Sequence, residues 1–550
     1  MKYQFVAAMI AAVSVAEPNP IHVNNKTRFF EDSYGRTTLF HGVNAIYKMD
    51  PYIPLTDSFD PQKSMNDKDI ADLVRWGQNF VRLGVMWEAV ERQPGVYDDA
   101  YLDKVETLIN QLGEAGIYTL VDAHQDVFAR TMCGEGVPDF YAKEVIGDNP
   151  SCISPMMDAI LAPVYKTLGI CLDMEDYGYR VDENGDPLIE DCLNEMFATY
   201  YNTKQGVTGF GALFNNKNGL RDKFVDYWDY TSARFGANPY VVGFDPLNEP
   251  YPANDIKDPT LQIPGVFDHK HLQPTYAEVY QRYKKNHENA IMWFESTTQH
   301  DVNGWFRGGT IFPAGFTVPP GADIGSDKHV LNDHTYCCQL AGDVCATGEP
   351  DPTKADECLA WHKKRIGVRS DDAARLGVPL MISEFGACLS EGPCSQEINQ
   401  VGDVSDEFLV GWAYWQFKYY EDLTTSAGTG SEGFYNGDGS LQEWKVKALS
   451  RTYMPFTQGI LKYHNFSTET ADFEAKFLAS PKIEAPSEVY FNGEMWYPNG
   501  IECSVTGEDG KPVKVEDSYS DIKYTFSVKE ASETMVSVKC SQKAASVVTA

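Results

Sequence analysis

The chain has 550 residues, with 46 Lys or Arg against 79 Asp or Glu, which gives a formal net charge of −33 at pH 7. Such an acidic chain is repelled by the phosphate backbone of DNA and RNA, which argues against nucleic acid as a partner. A chain of this length exceeds one ordinary hydrophobic core, so we expect a large catalytic domain and a smaller second domain.

The N-terminus has the pattern of a secretion signal. Lys2 precedes an apolar run over residues 5–15, and Ser14-Val15-Ala16 has small residues where a signal peptidase reads them. We therefore expect residues 1–16 to be removed. The run is too short to span a bilayer. The mature protein is expected to be secreted or to reach a lysosome-like compartment.

The 12 cysteines are an even number, and in a secreted chain they predict disulfides. No CxxC pair or His-rich spacing accompanies them, so no metal site is expected. Most lie in or beside long connections, whereas Cys503 and Cys540 stand apart near the C-terminus and are candidates for a disulfide there. Asn25 and Asn465 begin Asn-X-Ser/Thr acceptors for glycosylation in a secreted chain.

Eight segments of strand composition alternate with segments of helical periodicity. The strands are expected at residues 38–45, 80–85 and 118–124, and near Tyr240, Ala290, His329, Pro379 and Leu409. This alternation predicts an α/β fold, a (β/α)8 TIM barrel, over residues 17–455. A long insertion with four cysteines separates the third and fourth strands. It either shapes the substrate cleft or is a disulfide-stapled decoration away from substrate.

The periodicity changes near Pro455. Within residues 473–477, 524–528 and 536–538 apolar residues alternate with polar ones, as in half-exposed strands. Turn signals such as Asn492-Gly493 separate these segments. The pattern predicts a C-terminal β-sandwich domain over residues 456–550.

Two apolar strand patterns end at a glutamate. One leads into Asn248-Glu249-Pro250, and the other ends at Glu384. The ends of buried parallel strands carry the chemistry of α/β folds. Hydrolysis of a glycosidic bond requires one carboxylic acid and one carboxylate, so we expect Glu249 as the acid/base and Glu384 as the nucleophile. The alternative is two ordinary solvated glutamates.

These motifs resemble glycoside hydrolase family 5, whose members carry two catalytic glutamates on a (β/α)8 barrel. The resemblance implies that Arg82 steadies the nucleophile, that the Tyr336 hydroxyl bonds it, and that Trp415 is a platform for a sugar ring. The residues that the resemblance assigns to the substrate site are Arg82, His124, Asn248, His334, Tyr336 and Trp415.

Lys48 and Asp122 are further candidates for binding sugar hydroxyls, and Asp126 and Glu88 are weaker ones. Each of these four residues could equally form a salt bridge at the rim of the barrel, and the sequence does not decide between the two interpretations.

Within the family the chain resembles endoglycoceramidases, through residues 85–91, 94–97, 122–126 and 383–388. The resemblance implies a retaining endo-β-glycosidase that cleaves between oligosaccharide and ceramide in glycosphingolipids. It also implies a monomer without cofactor that makes transient contact with membrane surfaces. The alternatives are a β-glucosidase of glucosylceramide or sterol glucosides, a β-glucan endoglucanase, and a glycolipid-binding protein on the same scaffold.

A ceramide product requires an apolar half of the cleft. Loops after the sixth to eighth strands contain candidate side chains that we expect to form an exposed apolar patch beside Glu249. They are Trp305, Phe306, Phe312, Phe316, Val318, Phe434 and Tyr435.

Overall fold

The computed structural model describes residues 18–297, 310–339, 351–386, 390–425, 432–507 and 509–544. The predicted signal segment, residues 1–16, lies outside these ranges. Within them, no helix has both the length and the apolar character needed to cross a bilayer.

The strands and α-helices follow in chain order. The strands are β1 (His22–Asn24), β2 (Phe29–Glu31), β3 (Thr37–Thr38), β4 (His41–Ala45), β5 (Phe80–Gly84), β6 (Glu91–Gln93), β7 (Val96–Tyr97), β8 (Tyr118–Asp122), β9 (Val241–Asp245), β10 (Met292–Phe294), β11 (His329–His334), β12 (Leu380–Glu384), β13 (Gly411–Tyr414), β14 (Tyr453–Thr457), β15 (Gly459–Phe466), β16 (Phe473–Ala479), β17 (Ser487–Tyr490), β18 (Ile501–Gly507), β19 (Val515–Tyr519), β20 (Lys523–Val528) and β21 (Thr534–Gln542). The α-helices are α1 (Asp67–Arg75), α2 (Trp87–Val90), α3 (Asp99–Glu114), α4 (Asp139–Ile146), α5 (Pro155–Leu168), α6 (Ile189–Cys192), α7 (Lys204–Phe214), α8 (Leu220–Phe235), α9 (Gln273–Asn286), α10 (Ala355–Leu376), α11 (Pro393–Phe408) and α12 (Glu443–Leu449).

Eight parallel strands close a barrel in the order β10, β11, β12, β13, β4, β5, β8, β9. This confirms the predicted TIM barrel. The parallel register pairs Asp122 with Asp245 and His334 with Glu384. The polar residues at the strand ends therefore meet at one mouth of the barrel, where this fold carries its chemistry.

The first barrel strand begins at His41 rather than at Thr38, because Thr37 and Thr38 form a separate strand, β3. That strand pairs with β14, so two segments far apart in sequence share one sheet. Phe30 of the preceding β2 stacks on Trp293 of β10, with ring centroids 5.3 Å apart. The N-terminal residues thus pack against the barrel core.

The insertion between β8 and β9 contains α4 to α8. Two disulfides hold it, Cys133–Cys192 and Cys152–Cys171. The insertion also contacts the barrel mouth, because the hydroxyl of Tyr201 donates to Asp126 at 3.4 Å. The insertion therefore borders the active face, which agrees with the interpretation that it shapes the substrate cleft.

The C-terminal strands, together with the N-terminal strands β1 to β3, form two sheets, as the predicted β-sandwich requires. One sheet has the order β15, β16, β21, β18, and the other the order β1, β2, β3, β14, β17, β20, β19. Along β16 buried residues alternate with half-buried ones, which confirms the predicted period of two. Cys503 of β18 and Cys540 of β21 are register partners and form a disulfide, which confirms that candidate pair.

Candidate active site

Arg82 is the centre of a polar network at the barrel mouth. Its side chain is fully buried and donates to Glu384 Oε1 at 2.5 Å, Asn248 Oδ1 at 2.9 Å, and Asp122 and Asp245 at 3.0 Å. The predicted contact with the nucleophile is therefore confirmed. Because these protein groups take up its donors and it is not exposed, Arg82 orients the site and does not bind substrate, which corrects its inclusion among the substrate-site residues.

Glu384 ends strand β12 and is held at both carboxylate oxygens. Arg82 donates to Oε1, and the hydroxyl of Tyr336 donates to Oε2 at 2.9 Å. A guanidinium and a hydroxyl donor, one on each oxygen, fix the orientation of the carboxylate. Glu384 is thus held in place for attack on a substrate, and the predicted hydrogen bond from Tyr336 to it is present.

Glu249 follows strand β9 in an environment that favours the protonated acid. Burial and the nearby charge of Asp126 raise its pKa to about 7. His334 Nδ1 lies 2.9 Å from Glu249 Oε1. The side-chain amide of Gln125 donates to the Asn248 carbonyl at 2.7 Å, so the loop that carries the glutamate is anchored. Glu249 can therefore hold a proton for a leaving group.

The two glutamates converge. One carboxylate oxygen of Glu249 lies within 4.8 Å of one of Glu384, and His334 Nδ1 is the third atom of this group. Retaining glycosidases separate their carboxyl groups by about 5–5.5 Å and inverting ones by about 6.5–9.5 Å. The spacing fits retention. The same three atoms could also ligate a cation, but Arg82 and Tyr336 already engage both oxygens of Glu384.

Among the described residues, one other cluster offers three potential metal ligands, Cys152, Asp158 and Cys171. Its two cysteines form a disulfide with each other, so their sulfur atoms are not thiolate ligands. The cluster therefore does not fit a metal.

Asn248 and Trp415 lie where the sequence predicts the sugar site. Asn248 accepts from Arg82 and donates one N–H to the Gln125 carbonyl at 3.1 Å. Trp415 stacks on His124, with ring centroids 5.1 Å apart, and is 6% exposed. The indole follows β13, the barrel neighbour of the strand that ends at Glu384, where an aromatic face can pack on a sugar ring.

His124 is clamped between two carboxylates. Its Nδ1 lies 2.8 Å from Asp122 and its Nε2 3.2 Å from Asp126. Burial opposes a charge on the ring, but the two carboxylates outweigh it and raise the pKa of His124 to about 9. His124 therefore supports the Trp415 platform as a cation, and both its nitrogen atoms already have protein partners.

Lys48 and Asp122 form buried salt bridges and do not bind sugar, which corrects one of the two roles expected for them. Lys48 is buried and contacts Asp126 at 2.7 Å, Asp422 at 2.8 Å and Thr424 at 2.7 Å. Asp122 is fully buried, with one oxygen on Arg82 and the other on His124. Polar groups committed to buried partners are not free to bind a substrate hydroxyl.

The comparisons with known proteins agree with this geometry. A family model described as Cellulase (glycosyl hydrolase family 5) matches residues 43–150 and 189–421. The chain belongs to glycoside hydrolase family 5. A second model, the glycoside hydrolase family 5 C-terminal domain, matches residues 451–542. The chain is thus a glycoside hydrolase, and residues 151–188, which contain α5, lie outside both matches.

Three relatives of this family 5 chain are informative. The chain is 28% identical over 493 residues to an endoglycoceramidase of Cyanea nozakii, and the match covers 89% of this chain and 88% of that protein. The fold matches endo-glycoceramidase II from Rhodococcus sp. in a ganglioside GM3 complex, with a TM-score of 0.67, 20% identity and coverage of 94% and 99%. It matches Cryptococcus neoformans sterylglucosidase 1 equally well, with a TM-score of 0.68, 14% identity and coverage of 96% and 98%.

The family 5 site also contains acidic residues that the sequence analysis missed. Asp245 and Asp422 are buried partners of Arg82 and Lys48. Glu295 directly follows strand β10 and is fully buried. The signal for Glu295 was present, because a buried strand that ends at a glutamate is the pattern that identified Glu249 and Glu384.

The expected aromatic patch is largely wrong. Phe316, Phe434 and Tyr435 are buried, and Phe434 packs on Tyr414 and Phe417 with centroids 5.8 and 5.5 Å apart. Large apolar side chains near a barrel rim gain more from filling the core than from exposure. Phe312 and Val318 are half-buried, and the expected Trp305 and Phe306 lie outside the described residues.

Proposed function

We propose that the protein hydrolyses the β-glycosidic bond between oligosaccharide and ceramide in glycosphingolipids, with retention of anomeric configuration. The observation that carries the chemistry is the convergence of Glu249 and Glu384 within 4.8 Å. The substrate class is supported by the similarity to the Cyanea nozakii endoglycoceramidase over 89% of the chain.

The geometry supports a double displacement. Glu384 attacks the anomeric carbon while the bond to the ceramide oxygen breaks, and Glu249 gives its proton to that oxygen. A water molecule then gives a proton to Glu249 and attacks the same carbon, which releases the glycan and frees Glu384. Arg82 and Tyr336 hold the nucleophile throughout.

The runner-up substrates are glucosylceramide and sterol glucosides. The fold alone does not choose between these substrates and the ganglioside, because the Cryptococcus neoformans sterylglucosidase and the Rhodococcus endo-glycoceramidase II match equally well. The sequence similarity over 89% of the chain favours the endoglycoceramidase substrate. The remaining alternative is a β-glucan.

One assay distinguishes these substrates. Ganglioside GM3, glucosylceramide, a steryl glucoside and a soluble β-glucan are supplied side by side, and the products are identified by mass spectrometry. Release of an intact oligosaccharide and ceramide supports the proposal, whereas release of glucose alone from the second or third substrate contradicts it. Glu384→Gln is the control for a contaminating hydrolase.

We further propose that the enzyme contacts membrane surfaces transiently through helix α5. Met156, Ile160, Val164 and Leu168 are spaced by four residues, so they share one helix face, and each is more than half exposed. Asp158 and Lys166 are the only charged residues of α5, and Asp158 is buried. An exposed apolar stripe of this kind fits the interface of a bilayer.

The position of α5 supports this contact. The disulfide Cys152–Cys171 spans the helix, and the side-chain amide of Asn254 donates to the Cys152 carbonyl at 3.0 Å. Asn254 follows Glu249 by five residues, so the helix is tied to the loop of the acid that protonates the leaving group. A ceramide would leave on this side.

A matched pair of variants tests the role of α5. Ile160 is 63% exposed, and Ile324, which precedes β11 at the opposite end of the barrel, is 60% exposed. We expect Ile160→Ser, combined with Val164→Ser, to lower kcat/KM on glycolipid in neutral vesicles by about tenfold, since remote binding energy is lost. The double variant should hydrolyse a soluble chromogenic β-glycoside at the wild-type rate. The Ile324→Ser variant should keep the wild-type kcat/KM on both substrates. Equal losses on both substrates would contradict the contact.

We also propose that the protein is secreted or delivered to a lysosome-like compartment and acts as a monomer. The disulfides Cys133–Cys192, Cys152–Cys171 and Cys503–Cys540 support an oxidising route. Expression of the full chain in a eukaryotic host, followed by N-terminal sequencing of the protein in the medium and light scattering, tests each part. Retention inside the cell with residues 1–16 intact would contradict the secretion route.

A further inference from the structure

Glu295 is a third glutamate at the barrel mouth. It follows β10, its side chain is fully buried, and it therefore cannot touch substrate. One of its oxygens, Oε1, accepts the backbone N–H of Glu249. The other, Oε2, lies 3.4 Å from Nε2 of His334. Glu295 thus reaches the acid/base residue by two routes, one through its backbone and one through a histidine.

The backbone route holds an unusual conformation. Glu249 has φ +36°, a region that residues other than glycine and asparagine adopt rarely and at a cost. The hydrogen bond from its N–H to Glu295 lies in the buried interior, where a polar partner is needed. Glu295 therefore stabilises the turn that aims Glu249 into the cleft.

The histidine route depends on one proton. Within the described part of the chain, neither Glu295 Oε2 nor His334 Nε2 has a hydrogen-bond partner, although the two buried atoms face each other. On its other side, His334 Nδ1 lies 2.9 Å from Glu249 Oε1 and 3.4 Å from Glu384 Oε2. A proton between Oε2 and Nε2 would give each of these two atoms a hydrogen-bond partner. Which of them carries it decides whether Nδ1 of His334 donates a hydrogen bond to Glu249 or accepts one.

Two arrangements are possible. If Nε2 carries the proton and Glu295 is ionised, a neutral ring has a bare Nδ1 that draws the proton of Glu249 away from the leaving group. If Glu295 carries the proton, Nε2 accepts it and Nδ1–H donates to Glu249 Oε1. The acid proton of Glu249 is then directed to its other oxygen, Oε2, and the side chain keeps 23% of its area exposed.

The surrounding charges favour the second arrangement. Burial and Asp245 raise the pKa of Glu295 well above its usual range, although Arg82 opposes them. Burial lowers the pKa of His334 to about 4. The titratable groups around Glu295 come from five other elements and the loop after β9; they are Arg82, Asp245, Glu249, Tyr276, His334 and Glu384.

We propose that Glu295 is a positioning residue that acts as a neutral acid: its carboxyl proton fixes the tautomer of His334 and thereby aims the catalytic proton of Glu249 at the leaving-group oxygen. The inference rests on the family's hydrolytic activity and not on the ceramide substrate, so any β-glycoside that the enzyme cleaves serves to test it.

The isosteric variant Glu295→Gln gives the sharpest test. Its carbonyl can accept the N–H of Glu249 and its amide can donate to His334 Nε2, which reproduces the neutral acid. We expect kcat/KM within about threefold of the wild type and an unchanged pH profile. A loss as large as that of Glu295→Leu would overturn the proposal, because it would show that a carboxylate is required.

Glu295→Leu tests the aim of the proton. We expect a loss of about 100-fold in kcat on a glycoside with a poor leaving group, and a loss several times smaller on a dinitrophenyl glycoside, whose departure needs no acid. Equal losses on both substrates would indicate a merely structural role. Glu397→Leu is the matched control, because Glu397 is also buried beside a histidine, His362 at 3.6 Å, and it should not change the ratio of the two substrates.

The tautomer can be observed directly even if Glu295→Leu does not fold. The chain has 11 histidines, and the signal of His334 in a 15N-histidine spectrum is identified by its loss in His334→Gln. In the wild type and in Glu295→Gln we expect a protonated Nδ1 and a bare Nε2. A protonated Nε2 in the wild type would overturn the proposal.

Discussion

The hydroxyl of Tyr336 donates a hydrogen bond of 2.9 Å to Oε2 of Glu384. Because Arg82 occupies the other oxygen, Tyr336→Phe would leave the nucleophile oriented from one side only. A hydrogen bond to a charged group contributes about 1.5–3 kcal/mol, so we expect kcat/KM to fall about 10- to 100-fold. The midpoint of urea unfolding should change little. Activity within twofold of the wild type would contradict this role.

The two catalytic glutamates differ in what they are needed for. Glu384→Gln should abolish turnover on every substrate, since no glycosyl-enzyme can form. Glu249→Gln should spare a substrate with a good leaving group, which needs no acid in the first step. Steady-state rates on a dinitrophenyl glycoside and a natural glycolipid measure the difference. If both variants lose both substrates to the same extent, the assigned roles are wrong.

The pH dependence of kcat/KM should follow the protonation of Glu249. Glu249 acts in its protonated form, and burial with the Asp126 charge raises its pKa to about 7. We expect kcat/KM to fall as the pH rises through about 7, because Glu249 then loses the proton that it must give to the leaving group. A profile that rises steadily into the alkaline range would contradict this assignment.

The Lys48 cluster should stabilise the fold. Lys48→Met leaves Asp422 buried without its cation and Asp126 with only the His124 ring. Breaking a buried pair costs about 3–5 kcal/mol in the free energy of unfolding at pH 7. Lys63→Met is the matched control, because Lys63 pairs with Glu421 at the surface, where a pair contributes under about 1 kcal/mol. Urea unfolding of both variants measures the contrast. Equal effects would mean that Lys48 contributes no more than a surface charge.

His124 makes the stability depend on pH. Its pKa is raised in the folded state to about 9 from about 6.5 in an unfolded chain. The stabilisation by protonated His124 is therefore complete below about 6.5 and is lost as the pH rises through about 9. The difference in unfolding free energy between the wild type and His124→Gln should shrink over that interval. A difference that stays constant from pH 6 to 10 would contradict the charged state.

The sequence by itself determined the barrel and its two catalytic glutamates. Buried parallel strands require continuous apolar composition, and this signal is local, so the eight strands could be placed before any contact was known. The Asn248-Glu249-Pro250 motif and the strand end at Glu384 identified the pair for the same reason. The alternation along β16 likewise fixed the C-terminal sheet, since a half-exposed strand repeats every two residues.

Only the tertiary structure decided what the charged side chains do. The sequence predicts Lys48, Asp122 and Arg82 as substrate ligands, but their donors and acceptors are taken by other protein groups at the barrel mouth, most of them distant in the chain. No local pattern records such pairings. Glu295 is completely enclosed, whereas the side chains of Glu384 and Glu249 keep 6% and 23% of their area exposed, although all three share one sequence pattern. The aromatic patch expected around Phe434 is buried, and the exposed apolar residues lie on α5. Exposure depends on how distant segments pack and not on the identity of the residue, so the sequence pattern could not predict either outcome.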